Sequence, residues 1–118
     1  MEPTDNSAVI QPVLQWGSTP AGGGDYWGVA SWYVSDSHGT LYTDVVKAST
    51  GDTIHGAHIQ TAKGNWTIIG TVKQTGQSAV LSLIPANWDS YTWVYEVLEY
   101  YGTSCKGYPA TPCVFNKI

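Results

Sequence analysis

Short runs of β-branched and aromatic residues, cut by turn residues about every 8–12 positions, make up nearly the whole of this chain, and no segment sustains a 3.6-residue apolar period. Such a pattern cannot bury its apolar surface as helices. It predicts a single all-β domain, an antiparallel β-sandwich of about seven to eight strands. The expected strands are Ala8–Trp16, Tyr26–Ser35, Leu41–Ala48, Thr53–Thr61, Trp66–Lys73, Ala79–Ile84 and Tyr91–Tyr101. Pro12 cannot donate to a ladder and places the first of them at a sheet edge or bulge. The three consecutive glycines in Gly17–Gly24 predict a hairpin loop between the first two strands. Residues 1–7 read as a polar lead and 102–118 as an irregular tail carrying Cys, Pro and Gly.

The 118 residues suffice for one hydrophobic core without a metal or staple. Five Lys, no Arg and nine acidic residues give a net charge of −4, which lacks the basic footprint of a nucleic-acid or anionic-membrane binder. No apolar run approaches the roughly 20 residues that span a bilayer. Cys105 and Cys113 are spaced to permit a loop-closing disulfide, which would imply a secreted, oxidised setting and make Asn65-Trp66-Thr67 a glycosylation sequon.

Few residues offer chemistry. His55 and His58, three apart on a strand, point to opposite faces and cannot share a metal, and no cofactor is expected. Residues 21–24 are glycine-rich but lack the Lys, the Ser or Thr and the helix of a phosphate cradle. In Tyr91–Tyr101 the two carboxylates Glu96 and Glu99 fall on opposite faces, so they do not form a pair. What remains is Gln11 and Glu96, each on a strand among apolar neighbours.

Here the sequence resembles the glutamic peptidases. Ala8-Val9-Ile10-Gln11-Pro12-Val13-Leu14-Gln15-Trp16 is similar to the strand that carries that family's catalytic Gln, and Ser31-Trp32-Tyr33-Val34, Gly51-Asp52-Thr53-Ile54 and Tyr95-Glu96-Val97-Leu98-Glu99 are similar to later motifs in the same order. The resemblance spans about Ala8 to Tyr101. It implies a jelly-roll or concanavalin A-like sandwich and a secreted acid endopeptidase, with Glu96 as general base and acid toward water and leaving amine, and Gln11 as donor to the oxyanion. Its departures are that Glu99 follows Glu96 by three residues where the family spaces its two Glu by four, and that only ten residues precede Gln11 where the family has further strands. The family resemblance thus describes a shortened or fragmentary relative, whose activity is in doubt, or a protomer that completes its sandwich in a homo-oligomer.

A second reading is a carbohydrate-binding sandwich, and a third is a self-assembling structural domain with open strand edges. Six Trp and eight Tyr could offer flat apolar platforms to a sugar ring. Tyr26, Trp27, Trp32 and Trp88 lie nearest the loops and are the expected contacts for a polypeptide substrate or a glycan, whereas Trp16, Trp66 and Trp93 read as core.

Overall fold

The computed structural model describes residues 1–62, 64–101, 103–108, 110–112 and 114–116. It is an all-β sandwich of nine strands: β1 (Glu2–Pro3), β2 (Ala8–Thr19), β3 (Gly22–Ser35), β4 (Gly39–Tyr42), β5 (Val46–Ala48), β6 (Ile54–Ala62), β7 (Asn65–Val72), β8 (Ser78–Leu83) and β9 (Tyr91–Trp93). A 3-10 turn at Cys105–Gly107 follows. All the strand pairs are antiparallel.

The first sheet is built on the β2–β3 hairpin, in register from Ala8 opposite Ser35 to Thr19 opposite Gly22. The glycine run expected to be a loop therefore lies inside the hairpin arms, and Pro20 and Ala21 form the tip. A bulge between Trp16 and Gly17 accommodates it: Gly17 and Gly23 both have positive φ, and a Cβ on Gly23 would stand 2.2 Å from the Gly17 carbonyl oxygen. β4 pairs with the far end of β3 and β5 with its middle. The single strand expected over Leu41–Ala48 is thus two. Thr43, between them, turns the chain by exchanging bonds with Ser31: its N–H donates to the Ser31 carbonyl at 3.1 Å and its hydroxyl accepts from the Ser31 N–H at 3.1 Å.

The second sheet runs β6-β7-β8. Alternation along β7 is strict: Trp66, Ile68, Gly70 and Val72 are buried, and the residues between them are half-buried on the outer face. On that outer face Thr67 meets Ser82 at 2.9 Å and Thr71 meets Ser78 at 2.8 Å, hydroxyl to hydroxyl across the ladder.

Between the sheets lie two apolar clusters. Ala8, Ile10, Tyr33, Trp66, Ile68 and Tyr91 form one, and Val29, Ala48, Val72 and Ala79 the other. Ile10, Val29, Ile68 and Val72 are completely buried, and removing each from water contributes about 1.5–3 kcal/mol. The sheets approach closely where Gly56 and Gly70 sit side by side in the β6–β7 register. A Cβ on Gly70 would stand 2.3 Å from Val29 Cγ1, and one on Gly56 would stand 2.9 Å from Pro12 Cγ. The two glycines form a notch that receives Pro12 and Val29. Beside it the buried Ser31 hydroxyl donates to the Ala79 carbonyl at 2.8 Å, a polar link from β3 to β8.

β1 and β9 close one end. Residues 1–7 are more than a polar lead: Glu2–Pro3 pairs with β9, Met1 packs against the first cluster, and Met1 and Ile10 exchange two backbone bonds, at 2.7 and 3.0 Å, which set β1 beside β2. The strand expected over Tyr91–Tyr101 ends at Trp93, because the two residues of β1 are all that it pairs with. Tyr91 is buried against Trp66, ring centroids 6.0 Å apart. Trp66 is core as expected, but Trp16 and Trp93 are 56% and 61% exposed. Trp16 lies past the end of the opposing sheet, and Trp93 stands opposite Glu2 in the β1–β9 ladder.

Candidate functional site

A cleft bounded by strands lies where the β2–β3 hairpin reaches past the second sheet. Leu14 and Trp27 form one wall, Ala48 and Ile54 the floor, and the turn 49–52 the other wall, around about 190 Å³. Trp27 and Ala48 are ladder partners, so β3–β5 pairing fixes the position of the ring beside the turn. Trp16 supports it edge-on, with ring centroids 5.4 Å apart and planes at 66°. The turn is closed twice. The Asp52 N–H donates to the Ser49 carbonyl at 3.0 Å, and the Ser49 N–H donates to Asp52 Oδ2 at 2.8 Å, which orients the carboxylate. Trp27, 41% exposed, thus shares the cleft with Ser49, Thr50 and a carboxylate held in place.

Of the residues expected at a ligand surface, only Trp27 lines this cleft. Tyr26 is half-buried beneath Lys47, whose ammonium stands 4.8 Å above the ring centroid. Trp32 lies on the outer face of the first sheet against Tyr42, centroids 5.0 Å apart, and its Nε1 is occluded without a hydrogen-bond partner among the described residues. Trp88 packs against the first cluster and over Gly64, and its carbonyl accepts from Trp66 Nε1 at 3.2 Å. Its ring supports the core.

Gln11 stands opposite Trp32 in the β2–β3 ladder, on the outer face, and its side-chain amide makes no hydrogen bond among the described residues. Glu96 lies three residues past the end of β9 and is exposed. The two share no hydrogen bond and line no common cavity among the described residues. The Glu2 carboxylate accepts from the Tyr95 hydroxyl. Neither residue stands out in the sequence, since their proximity arises only from the β1–β9 pairing.

His55 is exposed on the outer face of β6, and His58 is half-buried on the inner face with Nε2 3.0 Å from the Ile10 carbonyl oxygen. Burial, and then the Met1 ammonium, push its pKa down to about 4 against the opposing pull of that carbonyl. Among the described residues no group of His, Cys, Asp and Glu could hold a metal ion. Cys105 is exposed, and its expected partner Cys113 lies outside the described residues. No helix among the described residues is long and apolar enough to cross a membrane.

In the sequence, Ser49-Thr50-Gly51-Asp52 reads as a turn whose Gly51-Asp52 opens a motif similar to one of the glutamic peptidases, and its role as a site wall is missed. The signal was a hydroxyl pair and a carboxylate in one turn, which gains meaning only once β5 places it beside Trp27. No family model, no curated protein and no solved structure matches the chain, and its likeness to the glutamic peptidases stands on the sequence motifs alone.

Proposed function

We propose that this chain is a carbohydrate-binding β-sandwich that takes a single sugar ring in the Trp27 cleft. The observation that carries the reading is that the partly exposed Trp27, buttressed by Trp16, lines one cleft together with Ser49, Thr50 and Asp52, whose carboxylate is oriented. A pyranose has an apolar C–H face that stacks on an aromatic ring and an equatorial rim of hydroxyls that both donate and accept. The cleft offers the matching surfaces in one place. Its volume, about 190 Å³, falls short of the roughly 300–1,000 Å³ that enclose drug-sized ligands, which suits one ring of a longer glycan.

Glutamic-peptidase chemistry would require Gln11 and Glu96 to converge on one water. Gln11 sits on the outer face of β2, while Glu96 is exposed beyond β9, so the geometry favours the sugar-binding reading.

A glycan array followed by calorimetry on the hits tests both. Binding by the wild type, weakened about tenfold or more (about 1.4 kcal/mol) by Trp27→Ala and by Asp52→Ala but unchanged by Gln11→Ala, is the expected result. Absence of any glycan binding by folded protein, together with acid-dependent cleavage of an unfolded substrate that Gln11→Ala and Glu96→Gln both abolish, would replace it with the peptidase.

A further inference from the structure

Among the described residues, Asp52 is the only ionisable side chain that lines the Trp27 cleft. Its carboxylate is held from one side: Oδ2 accepts from the Ser49 N–H at 2.8 Å, while Oδ1 takes no hydrogen bond and neither oxygen an ion pair among the described residues. A carboxylate accepts at about four lone-pair sites, so most of that capacity is left for water or a ligand.

The described lysines are engaged elsewhere. Lys47 precedes Ala48, the ladder partner of Trp27, and alternation carries its side chain to the opposite face of the sheet. There its ammonium stands 4.8 Å from the centroid of the Tyr26 ring. Lys73 follows the buried Val72, is exposed, and reaches the strand after Asp52 through its backbone, donating its N–H to the Thr53 carbonyl at 2.9 Å. Lys106 belongs to the 3-10 turn that follows β9.

Three separate features of the cleft favour positive charge. The face of an indole is the negative part of its quadrupole, and Trp attracts a cation more strongly than the other aromatic side chains do. The Asp52 carboxylate supplies a full negative charge and the acceptor of a charge-assisted hydrogen bond. The net charge of −4 gives the field of the whole chain the same sign. A uronate or sulfated sugar would be repelled by all three, with no cation in the lining to offset them.

We infer that the cleft selects an amino sugar, a ring that carries a protonated amine, over neutral rings and against acidic ones. The inference rests on the sugar-binding reading and names the class of sugar. The C–H face of the ring stacks on Trp27, the ammonium donates to the carboxylate that Ser49 orients, and the ring hydroxyls pair with Ser49 and Thr50. The ligand is then a glycan of hexosamine units with free amines. N-acetylation removes the charge and leaves the ring intact, so the acetylated glycan is the matched comparison.

Calorimetry at mildly acidic pH with three oligosaccharides of equal length tests the selection: oligoglucosamine, oligo-N-acetylglucosamine and oligogalacturonate. The amine oligomer should bind about tenfold more tightly than the acetylated one, by a ratio that shrinks as salt is added, and the galacturonate oligomer should not bind. Asp52→Asn keeps a side-chain oxygen for the Ser49 N–H and should bring the ratio close to one. Asp36→Asn, just past the far end of β3, removes the same charge from the chain and should leave the ratio unchanged. A wild-type ratio of one or below, or a ratio that Asp52→Asn does not lower, overturns amine selection, while binding of the acetylated oligomer still upholds the sugar-binding reading. Binding of none of the three overturns both.

Discussion

Adding one methyl group at Gly70 is the sharpest test of how the two sheets meet. Gly70 has ordinary extended backbone, so alanine there brings no conformational strain and gains about 0.4–1 kcal/mol by restricting the unfolded chain. The obstacle is steric. The new Cβ would stand 2.3 Å from Val29 Cγ1, where carbon atoms rest at about 3.5–4.0 Å, so one of them must move by more than an ångström. Val29 is completely buried and its χ1 is stiff, and the Pro12 ring at 3.7 Å blocks the other direction. Overpacking of this kind costs about 1–3 kcal/mol, so Gly70→Ala should destabilise by about 1–2 kcal/mol net. Val29→Ala alone removes two buried methyl groups and should cost about 2 kcal/mol. In the double variant the alanine methyl occupies the space that Val29 gave up. Its destabilisation should fall short of the sum of the single effects by at least about 1 kcal/mol. Urea unfolding of the four proteins at constant m-value measures this cycle. Additive effects would show that the notch does not hold the sheets at this spacing.

Three further outcomes follow from the same structure. His58 has its pKa lowered to about 4 from near 6.5, so the unfolded chain binds its proton first: stability is full above about pH 6.5 and falls as the pH drops toward 4. After allowance for the solvent reaching this half-buried ring, the loss should be about 2 kcal/mol, and His58→Gln should flatten thermal unfolding over that range; an unchanged slope would refute the assignment. Ser31→Ala leaves the Ala79 carbonyl without its donor and should cost about 1–3 kcal/mol by denaturant unfolding, with an effect below about 0.5 kcal/mol counting against the link. Thr67→Val and Ser82→Ala on the exposed face of β7–β8 should each stay within about 0.5 kcal/mol of wild type in the same assay, since water replaces the lost partner.

The parts of the fold legible in the sequence were those governed by local alternation. Trp66, Ile68 and Val72 announced the inner face of β7, and Ile10 that of β2, because a pleated strand places every second residue on one side. What escaped depended on which neighbour a strand finds. Tyr91–Tyr101 has the composition of one long strand, yet only Tyr91–Trp93 has a chain to pair with. Trp16 shares the inward pattern of core residues but extends beyond the opposing layer, and Trp93 stands opposite Glu2 with most of its surface exposed, which composition cannot register. The candidate site divides in the same way. Trp27 was legible as an aromatic near a loop, whereas Ser49, Thr50 and Asp52 became its neighbours through the split of Leu41–Ala48 into β4 and β5.

The Ser31 to Ala79 bond lies among apolar side chains, and its consequence concerns sliding. Two sheets held only by non-directional contact can shear past one another at little cost, because a displaced methyl group finds another to touch. A single directional bond between a strand of each sheet has no such neighbour to exchange with. Shear would break it at once, in a medium where an abandoned carbonyl cannot turn to water. The cleft mouth, framed by Leu14 and Trp27 from one sheet and Ile54 from the other, is therefore held in part by a hydroxyl that lines no part of it, together with the His58 contact to the Ile10 carbonyl.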